Sequence, residues 1–531
     1  MFLKSKLSIL FFLLLIILYP SLIFAQTKVN PDSIPFASAV NYGAGDGPTS
    51  VFCADLDGDI DLDLAVSNAG SMNVSILKNN GDGIFQTKVD YDAGDGPRSV
   101  FCADLDGDTD LDLAVANYYS NNVSILKNNG DGTFQTKVGY GAGDAPVSVF
   151  CADLDKDTDL DLAVVNDGSD NVSILKNNGD GTFQTKVDYG VGDHPTSVFC
   201  ADLDGDTDLD LAVASIIRNN VSVSKNNGDG TFQTKVDYGA GFGPRSVFCA
   251  DLDGDTDLDL VVANVGSNDV SILKNNGDGT FQTKVDYGAG DEPSSVFCAD
   301  LDGDTDLDLA VASYIGDNVS ILKNNGDGTF QAKVDYGAGD GPYSVFCADL
   351  DGDTDLDLAV ANYGSRNVSI LKNNGDGTFQ AKVDYGTGNG PSSVFCADLD
   401  GDTDLDLAVA NYGSDNVSIL FNRTKTPNYV EEEEDHAKVN FFSLSQNYPN
   451  PFNQTTKIEF TLSHSGFVSL NIYDLLGRKV RTLVSENLSP GYKSVLWDGK
   501  DNSVKEVASG SYFYRLKIGD FSEAKKLVLL K

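Results

Sequence analysis

The sequence is poor in histidine, in basic residues and in long apolar runs, and each shortage argues against a class of protein. Its 531 residues include three histidines, His194, His436 and His464, which lie in three different segments and form no cluster. Lysine and arginine number 37 against 80 aspartates and glutamates, which gives a formal net charge of −43. Because such a surface repels other polyanions, we expect no nucleic-acid partner.

The one long apolar run, Leu7 to Leu18, follows Lys4 and Lys6 and leads to Ala25. This order predicts a secretory signal peptide over residues 1–25, because the run is shorter than the ~20 residues of a membrane-spanning helix. We therefore expect an exported mature chain without a transmembrane segment. No helical periodicity is present either, which excludes a helical solenoid.

What the sequence has in abundance is one acidic stretch, Asp-Leu-Asp-Gly-Asp-Thr-Asp-Leu-Asp or a close variant, repeated eight times at a spacing of 49 residues. Five carboxylates at alternate positions repel one another and raise each other's pKa. A hard cation removes the repulsion, and oxygen ligands at alternate positions suit Ca²⁺, with position 7 serving through its backbone carbonyl as in an EF-hand loop. Surface solvation is the alternative, but it requires no fixed spacing around a glycine.

The sequence therefore predicts up to eight structural Ca²⁺ sites. Their ligands are Asp55, Asp57, Asp59, Asp61 and Asp63; Asp104, Asp106, Asp108, Asp110 and Asp112; Asp153, Asp155, Asp157, Asp159 and Asp161; Asp202, Asp204, Asp206, Asp208 and Asp210; Asp251, Asp253, Asp255, Asp257 and Asp259; Asp300, Asp302, Asp304, Asp306 and Asp308; Asp349, Asp351, Asp353, Asp355 and Asp357; Asp398, Asp400, Asp402, Asp404 and Asp406.

All eight cysteines obey the same repeat, each inside the apolar run Val-Phe-Cys-Ala. An even number of cysteines in an exported chain ordinarily indicates disulfides. Pairing would here have to break the repeat symmetry and meet strict geometry between neighbouring units. We therefore predict buried free thiols that act as small apolar side chains.

Each repeat contains four short runs with β-strand patterns, in one unit Phe85 to Tyr91, Ser99 to Ala103, Leu111 to Asn117 and Asn122 to Asn128. Four such strands with turns of ordinary length fill the 49-residue period. The pattern predicts an all-β, eight-bladed β-propeller of 49-residue repeats over residues 36–422. A β-solenoid is less favoured because its end units would differ from the inner ones.

The two ends of the repeat region are complementary. The region begins with a fourth-strand sequence, Phe36 to Tyr42, and ends with a third-strand sequence, Asn416 to Leu420. We therefore expect the first strand to complete the last blade and close the ring.

These repeats, with their acidic loops and Asn-Asn-Gly-Asp-Gly-Thr-Phe turns, resemble the FG-GAP or VCBS type of integrin α-subunits, bacterial surface proteins and some fungal lectins. The resemblance implies that each acidic loop is a structural Ca²⁺ cage. Lys156 departs from the pattern because it stands where the other loops have glycine. If that position has a positive φ, lysine is strained there and its charge opposes the cation. The third site is then expected to be the weakest.

Residues 423–440 include the acidic run Glu431 to Asp435 and are predicted to be a solvated linker. Residues 441–531 carry six β-like runs and are predicted to form a small Ig-like β-sandwich. The motifs at Phe442 to Asn453, Tyr473 to Arg478 and Gly510 to Tyr514 resemble the type A C-terminal sorting domain of the type IX secretion system, with Gln454 in place of the usual proline. This resemblance implies contact with the secretion machinery and delivery to the surface of a bacterium with an outer membrane.

No catalytic residues are predicted, because an acid–base pair needs two unlike environments and these carboxylates recur eightfold. We expect a non-enzymatic scaffold that binds an extracellular protein or glycan; the alternative is a lectin-like or polysaccharide-processing protein of the lyase type. The acidic loops and Asn-Asn-Gly-Asp-Gly turns should share one face, and the connections that differ between repeats should share the other. The predicted partner-binding residues on that second face are Tyr118, Tyr119, Ile216, Ile217, Arg218, Tyr314, Tyr343 and Tyr363.

Overall fold

The structure is a computed structural model that describes residues 34–424 and, in the C-terminal part, 443–444, 450, 452, 455–462, 466–473, 478–488, 491–497, 499–502, 505–518 and 521–529. The predicted signal peptide and nearly all of the predicted linker lie outside these residues. The chain divides into two units, Met1–Pro427 and Asn428–Lys531. Within the described residues, no helix is long and apolar enough to cross a membrane.

The first unit contains eight four-stranded antiparallel sheets, which we number as blades 1 to 8. Their strands are β1 (Val40–Gly43); β2 (Pro48–Ala54), β3 (Asp63–Asn68), β4 (Asn73–Leu77) and β5 (Val89–Asp92) in blade 1; β6 (Pro97–Ala103), β7 (Asp112–Asn117), β8 (Asn122–Leu126) and β9 (Val138–Gly141) in blade 2; β10 (Pro146–Ala152), β11 (Asp161–Asn166), β12 (Asn171–Leu175) and β13 (Val187–Gly190) in blade 3; β14 (Pro195–Ala201), β15 (Asp210–Ser215), β16 (Asn220–Ser224) and β17 (Val236–Gly239) in blade 4; β18 (Pro244–Ala250), β19 (Asp259–Asn264), β20 (Asp269–Leu273) and β21 (Val285–Gly288) in blade 5; β22 (Pro293–Ala299), β23 (Asp308–Ser313), β24 (Asn318–Leu322) and β25 (Val334–Gly337) in blade 6; β26 (Pro342–Ala348), β27 (Asp357–Asn362), β28 (Asn367–Leu371) and β29 (Val383–Gly386) in blade 7; and β30 (Pro391–Ala397), β31 (Asp406–Asn411) and β32 (Asn416–Leu420) in blade 8.

The first strand of the unit completes the last blade, as the sequence predicts. β1 pairs antiparallel with β32, with Val40 opposite Ile419, and Phe36 forms a further bridge to Asn422. Eight phenylalanines of the innermost strands, one per blade, form a closed ring with neighbouring centroids 5.1–6.5 Å apart. They are Phe52, Phe101, Phe150, Phe199, Phe248, Phe297, Phe346 and Phe395. The first unit is thus a closed eight-bladed propeller.

The hydrophobic core lies between adjacent blades. One cluster combines Val51 and Leu64 of blade 1 with Ala408 and Ile419 of blade 8, and each of the other junctions repeats this arrangement. All eight cysteines lie in these cores, buried and free, which confirms their predicted role. Burial raises the pKa of each thiol, to about 12 at Cys200, so these cysteines are poor nucleophiles.

The second unit consists of two antiparallel sheets over one core. Its strands are β33 (Ser443–Leu444), β34 (Thr456–Leu462), β35 (Gly466–Tyr473), β36 (Lys479–Leu488), β37 (Gly491–Trp497), β38 (Gly510–Ile518) and β39 (Phe521–Leu529), paired in the orders β33-β34-β37 and β36-β35-β38-β39. Trp497, Phe460 and Tyr514 are fully buried between the sheets. The six predicted strands are present; the Ig-like assignment stays a prediction.

Candidate cation sites and the opposite face

The acidic loops and the Asn-Asn-Gly-Asp-Gly turns lie together on what we call the loop face. Each acidic loop joins the first and second strands of a blade, and each turn joins the third and fourth. In blade 1 the backbone amide of Asn79, in the turn, donates to Asp63 Oδ1, in the loop, at 2.7 Å. The opposite face, the variable face, holds the connections between second and third strands and between blades.

In the acidic loops, the carboxylates of positions 1 and 3 converge with that of position 5 or position 9. In acidic loop 2, ligand atoms of Asp104, Asp106 and Asp108 all lie within 4.8 Å of one another. The same spacing is found in loops 4 and 5, for Asp202, Asp204 and Asp206 and for Asp251, Asp253 and Asp255. In loops 1 and 3, position 9 takes the place of position 5, and the sets are Asp55, Asp57 and Asp63 and Asp153, Asp155 and Asp161. Sets of carboxylate oxygens at this spacing suit a hard divalent cation.

The position-3 carboxylate provides a separate test of that fit. One of its oxygens is buried and has no hydrogen-bond partner in seven of the eight loops, namely at Asp57, Asp106, Asp155, Asp204, Asp253, Asp302 and Asp400. A buried acceptor without a partner is costly, and it recurs here at the same atom. A cation held by position 3 and the carboxylates that converge with it would supply the missing partner, so the residues present fit the metal.

The loop backbone is strained in a way that the sequence alone does not reveal. Position 6 is β-branched in every loop yet has a positive φ, from 72° at Thr207 to 83° at Ile60. Such residues avoid this region unless surrounding contacts enforce it. Here the contact comes from position 1: Asp55 accepts the amides of Gly58 and Ile60 at 2.8 and 3.0 Å.

The position-9 aspartate has a structural role that the sequence analysis missed. Asp63 is fully buried, and its two oxygens accept the backbone amides of Leu56 and Asn79 at 3.1 and 2.7 Å. Burial raises the pKa of this carboxyl to about 7 despite these bonds. Because a carboxylate has about four lone-pair sites, position 9 can bridge the loop to the turn and still face a cation.

Position 7 lies against the turn. A Cβ on Gly81, whose φ is +82°, would lie 2.3 Å from Asp61 Oδ2, so any larger residue would be strained there and would displace the Asp61 carboxylate. Burial, followed by the charges of Asp55 and Asp57, raises the pKa of Asp61. None of the five carboxylate sets above contains a position-7 side chain, and its predicted service through the backbone carbonyl stays a prediction.

Lys156 has the positive φ that the sequence analysis anticipated, at 64°. Its ammonium, however, does not lie over its own loop; it forms an ion pair with Asp208 and donates to Thr207 Oγ1 at 3.0 Å, both in acidic loop 4. In loop 3, Asp153 Oδ1 is left buried without a partner. The charge expected to oppose the third cation therefore acts on the fourth loop instead, while the backbone strain stays in the third.

On the variable face, the structure brings three predicted residues together. The ring centroids of Tyr314 and Tyr343 are 6.3 Å apart, and those of Tyr343 and Tyr363 are 6.1 Å apart. The Arg245 guanidinium lies 5.0 Å from the Tyr343 ring centroid and donates to its hydroxyl at 2.8 Å. The pKa of Tyr363 is raised, first by burial and then by the neighbouring Tyr314, Tyr412 and Tyr343. Tyr412 therefore adjoins the same cluster.

We call Tyr314, Tyr343, Tyr363 and Tyr412, together with Arg245, the tyrosine arc; its tyrosines come from blades 6 to 8. The sequence analysis missed Tyr412, although it lies 49 residues after Tyr363 and is 45% exposed.

The other predicted partner-binding residues lie on two other blades. The ring centroids of Tyr118 and Tyr119, on blade 2, are 5.0 Å apart, and the Arg98 guanidinium lies over the Tyr118 ring. On blade 4, Ile216 is half-buried and Ile217 is exposed, while Arg218 pairs with Asp193 at 2.8 Å.

The repeats match the model of the FG-GAP-like repeat over residues 55–115, 104–164, 153–213, 208–262, 251–311, 300–360 and 349–409. The chain belongs to the FG-GAP repeat family. Each of the seven matches ends beyond the acidic loop of the following blade, so together they cover all eight loops. Residues 446–530 match the secretion system C-terminal sorting domain. This FG-GAP protein is therefore exported by type IX secretion, to the cell surface or the medium, in a bacterium with an outer membrane.

No curated protein is significantly similar to the chain. Among solved structures, a lectin from Agrocybe aegerita that recognises non-reducing terminal N-acetylglucosamine is 22% identical, with 71% of this chain and 100% of that chain covered and a TM-score of 0.43. The Vibrio cholerae biofilm matrix protein Bap1 is 14% identical, with 73% and 91% covered and a TM-score of 0.43. A putative 6-phosphogluconolactonase from Bacteroides uniformis is 14% identical, with 61% and 95% covered and a TM-score of 0.44.

Proposed function

We propose that this protein is a calcium-stabilised, non-enzymatic propeller that binds an extracellular protein or glycan through its variable face. The observation that carries the proposal is the contrast between the two faces. The loop face repeats the same carboxylate sets and the same unpartnered oxygen, whereas the variable face breaks the repeat with clustered aromatic side chains.

Calcium would be held by positions 1 and 3 together with position 5 or position 9. When bound, the ion supplies positive charge that offsets the repulsion within each loop. The protein's own part is to fix the loop: position 1 accepts two loop amides, and position 9 ties the loop to the next turn.

The non-enzymatic assignment is supported by the likeness of the eight loops to one another. Burial raises the pKa of the position-9 carboxyl to about 7 in seven loops and to about 8 at Asp357. Acid–base catalysis by two carboxyls requires pKa values that are pushed apart within one site. Eight near-copies of one environment suit a structural role better.

Partner binding is supported best at the tyrosine arc. Its rings are held in place by one another and by Arg245, so little side-chain entropy is lost when a ligand covers them. Tyrosine and arginine are also the residue types that most often dominate binding energy. Each phenol can donate to a polar group of a protein or glycan while its ring packs on an apolar surface.

Binding of the purified mature protein to a glycan array and to cell-surface extracts tests the proposal. Alanine at Tyr343 and Tyr363 should reduce binding about tenfold or more. The matched control is alanine at Ile60 and Ile84, which are exposed apolar residues of the loop face. Equal binding by the tyrosine variant and wild type, or loss only in the control, would show that the arc is not the binding surface.

A further inference from the structure

A lysine follows the third strand in blades 1 to 7, and in six of these blades it links two neighbours. We call these residues the seam lysines: Lys78, Lys127, Lys176, Lys225, Lys274, Lys323 and Lys372. The first six donate to the backbone oxygen of the aspartate in the next blade's turn and lie 3.3–3.5 Å from the position-3 carboxylate of their own loop. Their side chains are 24–28% exposed.

Lys372 is turned into its own acidic loop. It forms an ion pair with Asp351, at position 3, and its ammonium lies 3.6 Å from Asp353, at position 5. The Lys372 side chain is only 10% exposed and that of Asp351 only 2%. Among the described residues, no other seam lysine pairs with a position-5 carboxylate.

Loop 7 also lacks the unpartnered oxygen that marks the other seven loops. Asp351 Oδ1 accepts the amide of Asp353 at 3.3 Å, and its Oδ2 takes the ammonium of Lys372. In loop 7, both oxygens of the position-3 carboxylate therefore already have hydrogen-bond partners within the chain.

The sequence of the following blade differs at the same junction. Blade 8 ends with Asn422-Arg423-Thr424-Lys425 where the other blades have Asn-Asn-Gly-Asp. In the sequence, Lys425 thus stands at the place of the aspartate whose backbone oxygen receives the seam lysine in the other blades, and Thr424 stands at the place of the preceding glycine. Within the described residues, the Lys372 ammonium contacts the loop carboxylates of Asp351 and Asp353.

We infer that the Lys372 ammonium takes the place of the calcium ion in acidic loop 7, so that this loop binds no metal. This inference rests on the proposed calcium sites of the other loops. An ammonium group has three donors and one positive charge, which suits the two carboxylates that it contacts. Loop 7, at the junction of blades 7 and 8, then keeps one compensating positive charge at any calcium concentration.

The experiment counts the calcium ions bound by the mature full-length protein, by titration calorimetry and by metal analysis after desalting. Lys372→Met should bind one more ion than wild type. Lys323→Met, at the matched position of blade 6, should bind the same number as wild type. Equal counts for wild type and Lys372→Met would overturn the inference.

A second pair of variants covers the case in which Lys372→Met fails to fold. Asp351→Asn should leave the wild-type count unchanged, whereas Asp302→Asn, its counterpart in loop 6, should lose one ion. Loss of one ion in both variants would overturn the inference while leaving the proposed function intact. A wild-type protein that binds no calcium would instead overturn the proposed function, and this inference with it.

Discussion

The five aspartates of an acidic loop are the same residue type, but their surroundings give them different tasks. Position 1 accepts loop amides, position 3 keeps an unpartnered oxygen, and position 9 is buried on two backbone amides. Alternate spacing in the sequence predicts that all five ligate the metal. Only the position of the following turn, sixteen residues after position 9, shows that Asp63 also joins two connections of the blade.

The position-9 carboxyls predict how the calcium-free protein responds to pH. Burial raises their folded-state pKa from 3.8 to about 7, for example at Asp63, Asp112 and Asp161. A carboxyl whose pKa is higher in the folded state stabilises the fold fully at pH values below its unfolded-state pKa. This contribution is lost as the pH rises through the folded-state pKa. In EGTA, the melting temperature should therefore fall by several degrees between pH 5 and pH 8. Calorimetry that shows an increase over this range would contradict the assignment.

Lys156 predicts the effect of one residue on stability. Lys156→Gly removes a side chain from a backbone position with a φ of 64°, so the melting temperature should rise by roughly 1–3 °C. It also removes the cation that pairs with Asp208, so loop 4 should bind calcium more tightly. The reciprocal change Gly205→Lys, at the same position of loop 4, should lower the melting temperature. Two shifts of the same sign would rule out backbone strain as the cause.

The turn between third and fourth strands holds neighbouring blades together. The first asparagine of the turn, or Asn422 at the equivalent position of blade 8, donates to the backbone oxygen of a leucine in the preceding blade's acidic loop, at 2.5–2.7 Å, at all eight junctions. At the closing junction the bond runs from Asn79 to Leu399. Each turn is therefore part of an interface as well as of a hairpin.

This interface predicts the result of two neighbouring substitutions. Asn177 is buried and bonds to Leu105 and Leu160, whereas Asn178 is exposed and bonds to Thr182 within the turn. Asn177→Ala should reduce the free energy of unfolding by about 1–3 kcal/mol, and Asn178→Ala by less than about 0.5 kcal/mol. Urea denaturation measures both. Equal losses would show that the bond between blades contributes little.

Strand positions could be predicted because alternating and continuous apolar runs report directly on burial. The one clear difference is the fourth strand, predicted over Phe85 to Tyr91 and observed as Val89–Asp92 with only an isolated bridge at Phe85. The apolar side chain at position 85 serves packing between blades and not strand pairing: the Phe85 ring packs edge-on against Tyr42 of blade 8, with centroids 5.2 Å apart. The sequence could not predict the partners of two lysines either. The Lys156 ammonium pairs with Asp208 of the neighbouring blade, and the Lys372 ammonium pairs with Asp351 of its own loop, whereas the other seam lysines bond to the next blade.

Ring closure makes the whole propeller depend on each of its junctions. β1 is joined to β32 across the length of the repeat region, and the ring of phenylalanines is complete only when blades 1 and 8 meet. Closed β-architectures leave no long unpaired edge, which suits a protein that works outside the cell. Closure at this sequence separation also has to be maintained against the repulsion of eight acidic loops.

The division into two units predicts what happens when the sorting domain is removed. Deletion of residues 441–531 should leave the melting temperature of the propeller unchanged within about 2 °C, because each unit has its own core. The truncated protein should no longer reach the cell surface or the medium. Cell fractionation with an antibody to the propeller measures delivery, and a truncated protein that still arrives there would contradict the role of the tail.

The most direct test of the account is the melting temperature of the mature protein in EGTA and in millimolar calcium at pH 7.5, with equal magnesium as the control. At ten times Kd each independent site adds about 1.4 kcal/mol, so seven occupied loops would add about 10 kcal/mol, comparable to the net stability of a domain. The melting temperature should be much higher in calcium than in EGTA, and only slightly higher in magnesium. The same melting temperature in EGTA and in calcium would contradict it.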